Sequence, residues 1–197
     1  MNVRVNRRTK ITALAAALLI TAGTAGSAVA SGDGGPGTRT AEASRTRTHQ
    51  QEAAALTGTA KLYRPAGDDI TFTFDAHLAK KDSADPMKAT GTFTFSHYKG
   101  DWGGRATVKV DCLTTGGKVA VVTGIVTDTD VEDFRNKRVG VTVHDLGKKD
   151  RLGYSWASAD PRTDVVAPCL SGAPFERIKA GTGDFKVTPW EFVYPTE

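Results

Sequence analysis

Residues 105–127 read RATVKVDCLTTGGKVAVVTGIVT, and this stretch decides the fold class. Ala106, Val108, Val110 and Cys112 alternate with Thr107, Lys109 and Asp111. Side chains of an extended strand point to opposite faces with period two, so one face of this arm is apolar, with Cys112 on it, and the other is wet. Thr114, Thr115, Gly116 and Gly117 supply the turn, because glycine reaches positive φ with no Cβ to clash. Residues 118–127 are rich in β-branched side chains on both faces and read as a strand inside a sheet. The stretch predicts a β-hairpin.

The same alternation recurs on both sides of it. Residues 59–63 form a short strand that ends at the turn Arg64-Pro65-Ala66-Gly67. Ile70, Phe72 and Phe74 alternate with Thr71, Thr73 and Asp75, and Phe93 and Phe95 alternate with Thr92, Thr94 and Ser96. Residues 78–87 read as an exposed polar loop. Val139, Val141 and Val143 carry a further strand, and residues 152–157 return from its turn. Residues 159–183 are broken by Pro161, Pro168, Gly172, Pro174, Gly181 and Gly183. One or two closing strands follow within residues 185–194. No stretch shows the i, i+3, i+4, i+7 apolar spacing of a helix. The expectation is an all-β domain, an antiparallel sandwich or small barrel of about eight strands.

The chain of 197 residues allows one domain with appendages. Residues 1–30 open with Arg4, Arg7, Arg8 and Lys10 and continue into an apolar run from Ile11 to Ile20. Ala28-Val29-Ala30 then offers a small-x-small cleavage site, so the segment reads as a secretory signal, too short for a membrane anchor. The Arg7-Arg8 pair hints at twin-arginine export, but Thr9-Lys10-Ile11 match that signal poorly and favour the general route. Residues 31–56, rich in Gly, Ser, Thr and Arg, read as a disordered linker, with a helical turn conceivable around residues 50–55. The all-β domain is expected over residues 57–197.

Charge excludes one class of partner. The chain holds 26 Lys+Arg and 22 Asp+Glu. All four charges in residues 1–30 are basic, so their removal leaves 22 against 22 and no net charge. A nucleic-acid binder needs an excess of positive charge against phosphate, so nucleic acid is not expected as a partner, and neither is a membrane span once the signal is gone. The two cysteines, Cys112 and Cys169, form an even count in a chain addressed to an oxidising space and predict one disulfide.

Three segments together carry a resemblance: ATGTFTFSHY at residues 89–98, the strand ending in VDCL at residues 110–113, and VGVTVHDLGKKDRLGYSW at residues 139–156. They resemble an uncharacterised family of small secreted actinomycete proteins, some of which carry the name repetin. More broadly they are similar to bacterial secreted β-modules in which a strand ends in V-x-D-x-G and an Asp opens the returning strand. Here that pattern is Val143-His144-Asp145-Leu146-Gly147 followed by Asp150. The resemblance implies an all-β extracellular module and transfers no activity.

His144, Asp145 and Asp150 form the sharpest chemical constellation. As functional groups they would begin a Ca²⁺ site or make an acid/base pair. As structural groups they would bond the N–H groups of their own turn and pair with Lys148, Lys149 or Arg151, the reading preferred here. Asp128, Asp130, Glu132 and Asp133 imitate a calcium loop, but the sixth position, which must be Gly, is Asp133. Gly153-Tyr154-Ser155-Trp156-Ala157 nearly matches a nucleophile elbow, but it alternates like a strand. His49, His77 and His97 are scattered, and no metal, cofactor or catalytic residue is assigned.

Exposed aromatics complete the reading. Of Tyr98, Trp102, Trp156, Trp190 and Tyr194, most read as core or sheet-edge fillers; Trp102, in a Gly-rich turn that buries it poorly, is the preferred candidate contact for a carbohydrate or peptide. The expectation is a monomeric, secreted, non-catalytic module with a binding or structural role toward an unidentified envelope or extracellular ligand. Two alternatives stay open: an extracellular hydrolase or lyase with its site near His144, Asp145 and Asp150, and a small-ligand carrier built as a β-barrel.

Overall fold

A computed structural model describes residues 52–191. The expected signal segment, almost all of the expected linker, and Tyr194 lie outside these residues. Nine strands build one antiparallel sheet: β1 (Glu52–Lys61), β2 (Asp69–Ala79), β3 (Thr90–Lys99), β4 (Trp102–Gly116), β5 (Val119–Thr129), β6 (Arg138–His144), β7 (Arg151–Tyr154), β8 (Glu176–Arg177) and β9 (Asp184–Thr188). Their order is β8-β7-β6-β5-β4-β3-β2-β1-β9, so the chain meanders and only the last strand crosses back to lie beside the first. The sheet curls into a half-barrel.

Among the described residues the count is nine rather than about eight. The added strand, β8, has two residues and sits inside the stretch read as irregular, where no alternation can reveal it. Two further boundaries differ. β1 begins at Glu52, inside the expected linker, because Ala54, Ala55 and Leu56 pack between β2 and β9 and are fully or nearly fully buried. β9 stops at Thr188, since the following Pro189 has no N–H to continue a ladder. Residues 78–87 are not a plain loop: Leu78 is a buried member of β2, and two single-turn 3-10 helices follow.

The concave face holds the core. Phe72, Phe74, Phe93, Phe95 and Phe185 fill it, and Phe72 and Phe95 meet Trp156 at ring-centroid distances of 6.0 and 4.3 Å. Trp156 is thus a core filler rather than a surface aromatic. Valines of β4, β5 and β6 complete the wall at little or no exposure.

The β4–β5 hairpin forms as expected, but its turn is Gly117-Lys118 rather than residues 114–117: Thr114, Thr115 and Gly116 continue β4 in the ladder, and Gly117 alone of the two glycines takes positive φ. Its register shifts between Val110 and Cys112, where Asp111 is the extra residue. A bulge of this kind reverses which face the following side chains take. Leu113 therefore pairs with the core residue Val122, while Cys112 pairs with Thr123 on the convex face. The expectation that Cys112 shares the apolar face of Val108 and Val110 is corrected by this single inserted residue.

On the convex face Cys112 bonds Cys169, with the Cα atoms 5.2 Å apart. The disulfide fastens residues 158–175 as a strap across β5, β6 and β7. Thr123 Oγ1 accepts from Cys169 N (3.1 Å) and donates to Asp111 Oδ1 (2.6 Å), whose other oxygen takes Arg138 Nε (2.7 Å). Thr142 Oγ1 donates to the carbonyl of Ser171 (3.0 Å). The strap lies so close to the sheet that a Cβ on Gly140 would stand 2.8 Å from the Leu170 carbonyl oxygen. A Cβ on Gly153 would stand 2.9 Å from that of Ala173.

Candidate functional site

The turn between β6 and β7 carries the constellation read from the sequence. Asp150 is fully buried. Its Oδ1 accepts from Leu146 N (2.7 Å) and its Oδ2 from Phe185 N (2.8 Å), while its backbone carbonyl accepts from Ile178 N (3.1 Å). Asp145 Oδ1 accepts from Gly147 N and its Oδ2 from Val187 N, both at 3.2 Å. Phe185 and Val187 present these amides on the edge of β9 that faces away from β1. An edge strand leaves a row of unpaired N–H groups, and two aspartates here take the place of a neighbouring strand. At the far end of β1 the bridge between Leu62 and Ile178 brings the two sides of the curled sheet together again.

A third carboxylate, that of Asp184 on β9, joins them, and one oxygen from each of Asp145, Asp150 and Asp184 lies within 4.8 Å of the others. Asp184 Oδ2 takes Lys186 Nζ at 2.6 Å, and its Oδ1 is buried without a hydrogen-bond partner. Burial pushes the Asp150 carboxyl upward, the Phe185 and Leu146 amides pull it down, and the neighbouring Asp184 raises it again; the balance is upward. Lys186 holds Asp184 below the usual carboxylate range. Such a group concentrates negative charge, but Asp145 and Asp150 spend both their oxygens on backbone N–H groups. What the arrangement does is hold three chain segments at one point.

His144 is not part of this group. Its ring lies 6.2 Å from that of Phe175, and no carboxylate of the turn bonds it among the described residues. The resemblance to a nucleophile elbow also dissolves. Ser155 begins a 3-10 helix instead of continuing a strand, is buried, and accepts from Gly140 N at 3.1 Å. In the acidic stretch before β6, Asp128 pairs with Arg105 (3.0 Å) and Arg135 (3.4 Å), and Asp130 Oδ1 accepts from Arg105 N (2.6 Å). His77 sits between Glu52 (2.8 Å) and Asp75 (2.9 Å), tying β1 to β2.

Trp102 is the first residue of β4, at the tip of the β3–β4 hairpin, and is 67% exposed. The ladder sets it opposite Lys99, and the His97 ring meets it edge-on at 5.8 Å. Asp68 lies 3.7 Å from His97 and 3.4 Å from Lys99, so it links these two neighbours of Trp102. Tyr98, 37% exposed, points to the other face of the same tip and covers Gly103, where a Cβ would approach its ring to 2.7 Å. Trp102 and Tyr98 thus share one end of the sheet, while the Asp145–Asp150 turn lies at the other end.

At that other end a cleft of about 360 Å³ is lined by Ala54, Leu78, Pro86, Leu113, Thr115 and Trp190. Trp190 N donates to Thr115 Oγ1 at 2.6 Å. Neither this cleft nor the part played by Asp184 is legible in the sequence. The alternation of Asp184, Phe185, Lys186 and Val187 marks a strand, but nothing local names the turn it meets. No helix among the described residues is long and apolar enough to cross a membrane, and the disulfide is compatible with an extracellular location. The chain matches no protein-family model, no curated protein and no solved structure.

Proposed function

We propose that the protein is a secreted, extracellular or envelope-associated module that binds rather than catalyses, and that Trp102 anchors its ligand. One observation carries the reading: the large aromatic side chain most exposed among the described residues stands on a strand end, edge-on to His97 and opposite Lys99 in the ladder. Covering such a ring removes a large apolar area from water at little cost in side-chain entropy. The competing hydrolase or lyase would draw on His144, Asp145 and Asp150, but the two carboxylates hold β9 and the histidine lies apart from them. The carrier would need a hollow interior, and the concave face is filled with phenylalanine rings in mutual contact. As part of the same proposal, the curled sheet is a small barrel, not a sandwich, closed by the Leu62–Ile178 bridge and the two aspartates. The resemblance to the repetin-named secreted proteins is consistent with this role.

The test is co-sedimentation of the exported protein with isolated cell-envelope material, alongside native mass spectrometry against envelope glycans, lipids and Ca²⁺. Retention by the envelope that is lost in Trp102→Ala supports the proposal. Equal retention of both proteins, or none of either, refutes it.

A further inference from the structure

The convex face of β1 to β4 carries an array of hydroxyls that the exposed tryptophan does not account for. Residues directly opposite in an antiparallel ladder share a face. The register therefore aligns Thr59, Thr73, Thr94 and Thr107 in one row across four strands, and Thr71, Ser96 and Arg105 in the next. The following row sets Tyr98 between Asp69 and Gly103. Strands lie about 4.8 Å apart, so the rows offer hydroxyls at closely spaced, regular intervals. Within them a shallow depression of about 270 Å³ is lined by Thr71, Thr94, Ser96, Arg105 and Thr107. Among the described residues the hydroxyls of Thr94, Ser96 and Thr107 have no protein partner, whereas Thr59 and Thr73 bond each other at 3.0 Å.

We infer that this depression, with Tyr98 at its end, is a subsite for a neutral carbohydrate chain. Hydroxyls both donate and accept, which matches the vicinal hydroxyls of a sugar, and an aromatic ring matches the sugar's C–H face. The one formal charge in the lining, Arg105, is paired with Asp128, and its backbone N–H is taken by Asp130, so no unbalanced field selects an ion. The lining offers no deep apolar pocket to seat a peptide side chain. The donors stand on central strands of a sheet, so little freedom is lost when a ligand binds. The inference rests on the reading of the protein as a binding module, but it uses a face of the hairpin opposite to that of Trp102.

Affinity electrophoresis of the full chain through gels holding a soluble neutral β-glucan, and through matched gels holding polygalacturonate, tests it. The variants are Thr94→Val/Ser96→Ala/Thr107→Val, Tyr98→Ala and Trp102→Ala, each checked for an unchanged melting temperature. Retardation is expected in the neutral gel, and removing the three hydroxyls is expected to weaken it about ten-fold, the size of one or two lost hydrogen bonds. Undiminished retardation of the hydroxyl-free variant, retardation only in the anionic gel, or retention only by a peptide column overturns the inference. If the hydroxyl-free variant still binds envelope while Trp102→Ala does not, this inference fails and the proposed function stands. If the reverse holds, the carbohydrate subsite stands and the assignment of Trp102 fails.

Discussion

The carboxylate of Asp150 accepts a hydrogen bond from the amide of Phe185, 35 residues further along the chain, at 2.8 Å. This contact joins the turn between β6 and β7 to the edge of β9, and the other oxygen of Asp150 holds the turn itself through Leu146 N. An aspartate read from the sequence as a structural group of its own turn is, in the fold, also a long-range fastener, buried where three segments meet.

Removing it should therefore damage stability before anything else. Asp150→Ala leaves the Phe185 and Leu146 amides without acceptors and is expected to cost about 2–5 kcal/mol, with Asp150→Asn costing less because one acceptor oxygen remains. Urea midpoints at neutral pH measure both. Millimolar Ca²⁺ is expected to leave the melting temperature of the wild-type protein unchanged. A rise of several degrees would show instead that the three carboxylates bind the ion in preference to the fold's amides.

The His77 bridge predicts a pH dependence with a definite sign. Burial lowers its pKa, but the hydrogen bond to Asp75 and the charge of Glu52 outweigh burial, so the net shift is upward from 6.5. The folded state then binds the proton more tightly than the unfolded chain. The resulting stabilisation is fully present below pH 6.5 and is lost as pH rises through the folded pKa. The imidazole is a third exposed, so the contribution should stay at or below about 1 kcal/mol. The stability difference between wild type and His77→Gln, followed by thermal melts from pH 5 to 9, should shrink with rising pH.

The strap over β5, β6 and β7 makes a prediction about where the molecule opens. The disulfide closes a separation of 57 residues, worth about 4 kcal/mol in a chain-entropy estimate. In Cys112→Ala/Cys169→Ala, limited proteolysis should cut residues 158–175 first, with the sheet surviving as a large fragment. Gly140→Ala, whose new Cβ would press on the Leu170 carbonyl, should produce the same early cut with the disulfide intact. Cleavage starting in β2 or β3 instead would place the weak point elsewhere.

Much of this fold is legible in the sequence because most strands bury one face, and burial writes a period of two. Phe72 and Phe74 on β2 and Phe93 and Phe95 on β3 are examples, and the β4–β5 hairpin follows from its glycines. The disulfide follows from an even cysteine count read together with the expected secretory signal. What stays hidden is non-local. The bulge at Asp111 leaves no mark in the alternation, yet it turns Cys112 to the convex face. β8 is two residues long, and β9 carries a pattern but no label for its partner, so the role of Asp150 emerges only when Phe185 arrives beside it. The exposure of Trp102 is readable, since a Gly-rich turn at a strand end has little to cover an indole. The threonine rows are visible as alternation on each strand, but their alignment across four strands depends on register.

The central claim, that Trp102 serves a ligand and not the fold, is tested most directly by measuring stability and binding on the same variant. Trp102→Ala is expected to keep its unfolding free energy within about 0.5 kcal/mol of wild type, as for an exposed side chain, while its co-sedimentation with envelope material falls to background. A loss above about 2 kcal/mol, the size of a core cavity, or undiminished binding by a stable Trp102→Ala protein, would contradict the account.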